Sequence, residues 1–362
     1  MNEEEEVVVD AEIKRCPNCG ASPKYDITSG NLVCGHCNFT QEIESNDGVQ
    51  RRQLTDELRR SKPAWTEGRV FRCDGCGAKE VQTGKEITQL CAFCGNKSII
   101  SVNELCGVKP DSVIPFKIDI DNAREIFKRW MRGKWLAPRS FKTYDIREHM
   151  KALYCPSWSF TTNTQSMYNG TLARRQTVHR RNPNGQMVAS SRLVNFNARG
   201  TININYVDHL VQSSDRISPA TFNQLKPFDL RELRVYRTEF LQGIVTEHYT
   251  RELSQCFDEF SNFIRTDLRR RIMQKHMADS VGRLDINTNY LTKEFNYILL
   301  PLYIANYKFR EKQYNFFING ISGKLVGKYP KSGLKVFLLC AGIGLVVAAA
   351  IGIGVFVHIS TG

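Results

Sequence analysis

Four Cys-x-x-Cys pairs near the start, alternating runs and one long periodic segment in the middle, and an uncharged stretch at the end predict a composite fold class. It consists of two small zinc ribbons in tandem, then an α+β domain with an antiparallel sheet and a long amphipathic helix, then one C-terminal transmembrane helix. A chain of 362 residues has room for two or three domains, and a charged fraction of 24% belongs to folded rather than disordered sequences.

The first set of pairs is Cys16/Cys19 and Cys34/Cys37; the second is Cys73/Cys76 and Cys91/Cys94. In each set fourteen residues separate the two pairs, and every cysteine of the second set lies 57 positions after its counterpart. Arg15, Gly20 and Ala21 around the first pair recur as Arg72, Gly77 and Ala78, so internal duplication is the simplest account. Two residues between cysteines let a tight turn aim both sulfurs at one metal about 2.3 Å away, and a following glycine supplies the positive φ of such a turn. Four thiolates close a tetrahedral shell, so the two expected zinc ions are structural and leave no position for substrate. Mononuclear iron is the rival metal. His36 lies inside a knuckle whose four sulfurs already saturate the ion, and is read as a non-ligand. Thiolate ligands require a reducing compartment. The remaining Cys106, Cys155, Cys256 and Cys340 are expected to be small buried apolar residues.

The two ribbon sets resemble zinc ribbons of the transcription factor IIB type. Further along come Val113-Ile-Pro-Phe116, Leu153-Tyr-Cys-Pro-Ser-Trp158, Leu225-Lys-Pro-Phe228, a long charged helix, Leu300-Pro-Leu-Tyr303 and Asn319-Gly-Ile-Ser-Gly-Lys324. That ordering resembles bacterial membrane-anchored proteins described as zinc-ribbon-containing, over nearly the whole chain. Some of them carry a label of primosomal helicase or replication factor Y. The label does not transfer, because no G-x-x-x-x-G-K-[ST] phosphate loop occurs in this sequence.

The chain divides into an acidic disordered tail (1–12), a ribbon (13–45), a basic linker helix (46–68), a second ribbon (69–106), the α+β domain (107–330) and the transmembrane helix (334–358). Glu3 to Glu6 occupy the place where a signal peptide needs basic residues. Leu54 and Leu58 with flanking Arg51, Arg52, Arg59 and Arg60 predict a helix over Gln50–Arg60, ended by Pro63. Asp121 is read as the cap of a helix reaching Lys134. Pro156 within Leu153–Phe160 predicts an edge strand or a bulge. Between Met167 and Val211, alternating runs broken at Asn182-Pro-Asn-Gly185 predict an antiparallel meander. Leu253, Phe257, Phe260, Ile264, Leu268 and Ile272 recur at helical spacing within Arg251–Met277, while Arg265, Arg269, Arg270, Arg271 and Lys275 lie opposite. That charged face is either solvated or a docking surface. Tyr297–Ile304, Ile304–Phe309 and Gln313–Ile318 read as strands.

Val336–Val357 is a run of 22 uncharged residues, about 33 Å as a helix. Lys324, Lys328, Lys331 and Lys335 precede it and no Lys or Arg follows, which predicts a single-pass cell-membrane protein with its N-terminal bulk cytoplasmic. Gly344, Ala348 and Gly352 form a small-x-x-x-small line that allows self-association as a homo-oligomer.

The formal charge of +13 is uneven: residues 1–106 carry a net −4 and the remainder +17. Neither a G-x-S-x-G elbow nor an H-E-x-x-H pair is present. The leading expectation is a non-enzymatic zinc-binding adaptor or scaffold at the cytoplasmic membrane face, recognising a protein partner. The alternative is a membrane-tethered, transcription- or replication-associated nucleic-acid-binding protein, supported by the basic body and by Arg69-Val-Phe71-Arg72 and Phe93 to Lys97. An unrecognised hydrolase or envelope assembly factor ranks third.

Overall fold

The computed structural model of the protein describes residues 14–44, 48–54, 65, 69–82, 90–97, 99–102, 107–147, 149–181, 183 and 185–361. The acidic tail and Cys106 lie outside the described residues. The first cysteine set encloses three short antiparallel strands in the order β1 (Lys24–Asp26), β2 (Asn31–Val33), β3 (Thr40–Gln41). The Asp26 carboxylate accepts the Thr28 and Ser29 N–H groups and so shapes the β1–β2 turn. Tyr25 and Leu32 point into the main core, where the Tyr25 ring meets Phe240 edge-on at 5.6 Å.

Arg52 and Gln53, expected within a linker helix, form a strand, β4, antiparallel to Glu294 and Phe295. Tertiary partners override helical spacing here: the Arg52 guanidinium pairs with Asp111 at 2.9 Å and lies 4.8 Å from the centre of the Phe295 ring. Residues 55–60 of that expected helix lie outside the described residues.

The second cysteine set brings β5 (Arg69–Cys73), β6 (Lys79–Gln82) and β7 (Ile99–Val102), with β5 in the middle. Then follow β8 (Ser112–Val113), α1 (Ile120–Arg132), α2 (Arg139–Lys142), β9 (Met150–Arg181), β10 (Met187–Gln212), α3 (Pro219–Leu225), β11 (Arg234–Val235) and β12 (Val245–Glu247). The chain closes with α4 (Leu253–Lys275), β13 (Ser280–Tyr290), β14 (Glu294–Phe309), β15 (Lys312–Asn319), β16 (Leu325–Gly327) and α5 (Gly333–Thr361). Among the described residues, β4 to β16 join in one 13-stranded sheet. β6 pairs with β12 and β12 with β9, so the second ribbon's strands continue the sheet of the body. Pairing is mostly antiparallel; β12 with β9 and β14 with β8 are parallel.

Pro156 sits in the interior of the sheet, not at its edge. It faces Leu299 of β14 on one side; on the other, β9 changes partner from β12, at Tyr154, to β10, at Ser157. The missing N–H falls at that changeover, where the Pro156 carbonyl accepts the Ser213 N–H. The expected meander is a single long hairpin, with β9 paired to β10 from Ser157–Gln212 out to Arg181–Met187. The strands read separately over Tyr297–Phe309 are one strand, buried almost throughout.

Asp119, rather than Asp121, caps α1 by accepting the Asn122 N–H. Along α4 all six of the periodic apolar side chains are buried, and Phe260 stacks on Phe160 of β9 at 5.4 Å. Cys155 and Cys256 are buried as expected, but Cys340 is exposed on α5.

The expected transmembrane helix is corrected. Among the described residues no helix is long and apolar enough to cross a membrane. With the span go the predicted single-pass membrane placement and the anchor built on it.

Candidate metal centres

Each cysteine set closes on itself. The four Sγ atoms of Cys16, Cys19, Cys34 and Cys37 lie within 4.8 Å of one another, as do those of Cys73, Cys76, Cys91 and Cys94. In the first cluster Cys16–Cys37 and Cys19–Cys34 are both 3.5 Å apart; in the second, Cys73–Cys94 is 3.5 Å and Cys76–Cys91 is 3.7 Å. A disulfide needs about 2.05 Å, so these are four separate thiols. A tetrahedron with bonds of about 2.3 Å has edges of about 3.8 Å, close to the spacing found. The donor set and its size therefore fit a metal ion in each cluster and are compatible with zinc ribbons.

All four knuckles use one backbone design. The N–H four residues after the first cysteine donates to that cysteine's carbonyl: Gly20 to Cys16, Asn38 to Cys34, Gly77 to Cys73, Gly95 to Cys91. The cysteine's own N–H reaches the carbonyl five residues on, at Ala21, Phe39, Ala78 and Asn96. The residue closing each turn has positive φ: 74° at Gly20, 57° at Asn38, 70° at Gly77 and 72° at Gly95. Asparagine is the non-glycine residue that best tolerates this conformation, which explains the one knuckle without glycine. His36 is exposed, and its contribution is a backbone N–H rather than its ring. The backbone N–H of Phe39 lowers the Cys37 thiol to about 6, and those of Cys37 and His36 lower Cys34. In the second cluster burial pushes Cys91 up.

The surroundings of the two clusters differ. The first docks through a few contacts: the Tyr25 N–H to the Gln242 carbonyl at 2.9 Å, and Lys14 to Glu239 at 2.7 Å. The second is gripped by side chains from several elements of the body. Arg216 donates to the Cys76 carbonyl at 2.7 Å, Asn306 to that of Ala92 at 3.3 Å, Gln313 to that of Phe93, and Lys151 to that of Leu90. Cys73, Ala78, Cys91, Ala92 and Phe93 share a core cluster with Ile114, Leu153, Val245 and Leu300.

Sequence reasoning missed two carboxylates behind the second cluster. Glu80 on β6 and Glu247 on β12 are directly opposite in the ladder and almost wholly buried. Glu80 accepts the Ala92 N–H at 3.0 Å, and Glu247 accepts the Ser214 hydroxyl. Burial raises both acids, Glu247 to about 8, so Glu247 holds its proton at neutral pH. Only the strand register brings them together, and neither position carries a motif. In the two aromatic-basic segments, Arg69–Arg72 and Phe93–Lys97, the aromatic side chains Phe71 and Phe93 are both buried.

No family model matches the sequence, and no solved structure matches it. The chain is 28% identical over 337 residues to a Bacillus subtilis (strain 168) protein described as "Uncharacterized protein YdjG", covering 91% of this chain and 93% of that one. The relative's description carries no activity with it. The specific zinc-ribbon family expected from motif order therefore has no support beyond the two cysteine clusters.

Proposed function

We propose that this is a non-enzymatic zinc protein, an adaptor that recognises a protein partner through its first ribbon. Zinc suits both clusters because four thiolates at tetrahedral spacing form its preferred closed shell. When bound, the divalent ion supplies the positive charge that offsets four thiolates, including the buried Cys91. The adaptor reading is carried by one observation: the first ribbon presents an exposed knuckle face. Pro17, Asn18, Cys19, Gly35 and His36 are exposed there, as is Phe39, a large aromatic 39% exposed. Aromatic side chains held on a stiff backbone are the common anchors of protein interfaces.

The test uses the full-length, zinc-loaded chain as bait against cell extract, beside Phe39→Ala and Cys16→Ser. A specific protein retained by wild type and lost from both variants, with zinc content unchanged in Phe39→Ala, is the expected result. Identical retention by all three baits would contradict the reading.

A further inference from the structure

The strongest surface feature outside the clusters is the far end of the β9–β10 hairpin. β13 accompanies β9 only as far as Ala173, which faces Ser280. From Arg174 opposite Val194 to Arg181 opposite Met187, β9 and β10 continue alone as eight residue pairs. At about 3.3 Å per residue this two-stranded arm is about 26 Å long. Its described side chains are exposed apart from half-buried Val178.

The composition of the arm is one-sided. Residues 174–194 contain five arginines (174, 175, 180, 181 and 192), no lysine and no acidic residue. A surface shaped for solubility mixes both signs, and exposed strand edges are usually guarded by lysine. Arginine alone, whose planar fork fits phosphate with two parallel hydrogen bonds, indicates a phosphate-bearing partner. The register divides the guanidinium groups between the two faces: Arg175 and Arg181 on one, Arg174 and Arg192 on the other. Around them stand neutral hydrogen-bonding residues, Gln176, Thr177, Ser190 and Ser191, and the exposed apolar Met187, Val188, Leu193 and Val194. The arm's root is fixed: Arg174 donates to the Met277 carbonyl at 3.1 Å and to that of His276, and covers the Phe196 ring at 5.4 Å. Arg175, Arg181 and Arg192 make no ion pair among the described residues.

We propose that this arm binds nucleic acid, laying the ribbon into a duplex groove with Arg175, Arg181 and Arg192 on phosphates. A two-stranded β-ribbon is one of the two elements that the major groove of about 12 Å admits. The arm supplies the guanidinium groups for the flanking backbones and the polar and apolar side chains for the groove floor. This surface is separate from the Phe39 knuckle, so its test and the partner test succeed or fail independently.

The experiment is fluorescence anisotropy of a labelled duplex DNA of about 25 base pairs with the full-length, zinc-loaded chain, from about 50 to about 200 mM salt. Wild type should bind more tightly as salt falls. The triple variant Arg175→Gln/Arg181→Gln/Arg192→Gln should bind at least roughly tenfold more weakly, with the slope of log K against log salt shallower by roughly 2 to 3. Arg181→Gln alone, at the arm's end, should reduce that slope by about 0.9. A charge-matched control, Arg231→Gln/Lys308→Gln/Lys312→Gln, should bind like wild type. Absence of binding at the lowest salt, or equal weakening in arm and control variants, would overturn the proposal. So would displacement by polyglutamate as effective as displacement by unlabelled duplex, which would assign the arm to an acidic protein.

Discussion

The cysteine knuckles show how far single residues can be read before a structure exists. Their spacing and the glycines after them were legible because metal geometry admits few solutions. Asn38 was not, since its positive φ of 57° shows only once the turn is closed. Gly20 has open space around a Cβ, so Gly20→Ala isolates backbone strain. Its expected cost is about 1–2 kcal/mol, whereas Asn38→Gly should be neutral or slightly stabilising; thermal melts of the metal-loaded chain measure both. The buried acids behind the second cluster left no trace in the sequence, because the register of β6 with β12 decides which side chains face each other. Glu247 titrates near 8 when folded and near the usual carboxylate value of about 4.3 when unfolded. Between those values the folded state holds the extra proton, so its stability contribution is complete below about 4.3 and is lost as pH rises through 8. Glu247→Gln should therefore flatten the decline in Tm between about pH 5 and pH 8. An unchanged pH profile would place the proton elsewhere.

At the scale of elements, α4 was the most legible, because six apolar side chains at helical spacing leave one way to bury them. Phe260 stacks on Phe160 and is closed in by Phe257 and His209. Phe260→Ala should cost about 3–5 kcal/mol, read as a lower denaturation midpoint with an unchanged m-value. Strand β9 was the least legible. Its first half is largely buried in the sheet and its last eight residues run on beyond β13 with described side chains that are mostly exposed, so no single periodicity covers its 32 residues. Pro156 points by local rules to an edge, and only the change of partner from β12 to β10 makes it tolerable inside the sheet. The same limit applies to Arg52–Gln53, where Asp111 and Phe295 decide the conformation from distant parts of the chain.

Across the whole molecule, duplication of the cysteine sets has not produced two equivalent sites. The first cluster keeps its own three-stranded sheet, while the strands of the second are part of the main one. The sequence shows the repeat but not this difference, which depends on β12 pairing with β6. Cys16→Ser should therefore unfold its ribbon locally and leave the global transition nearly in place. Cys73→Ser should lower the global Tm, because Phe93, Ala92 and the strands beside them lose their metal-fixed geometry within the core. Thermal denaturation of both variants checks this asymmetry, and equal Tm losses would count against it. The C-terminal run was misread at this scale: continuous apolar sequence suggested a span that the described helix does not supply. The central claim, that the two clusters are structural zinc sites, is tested most directly by elemental analysis of the full chain purified without chelators. Two zinc ions per chain, falling to one in Cys16→Ser and in Cys73→Ser, is the predicted result; iron in their place, or no bound metal, would contradict it.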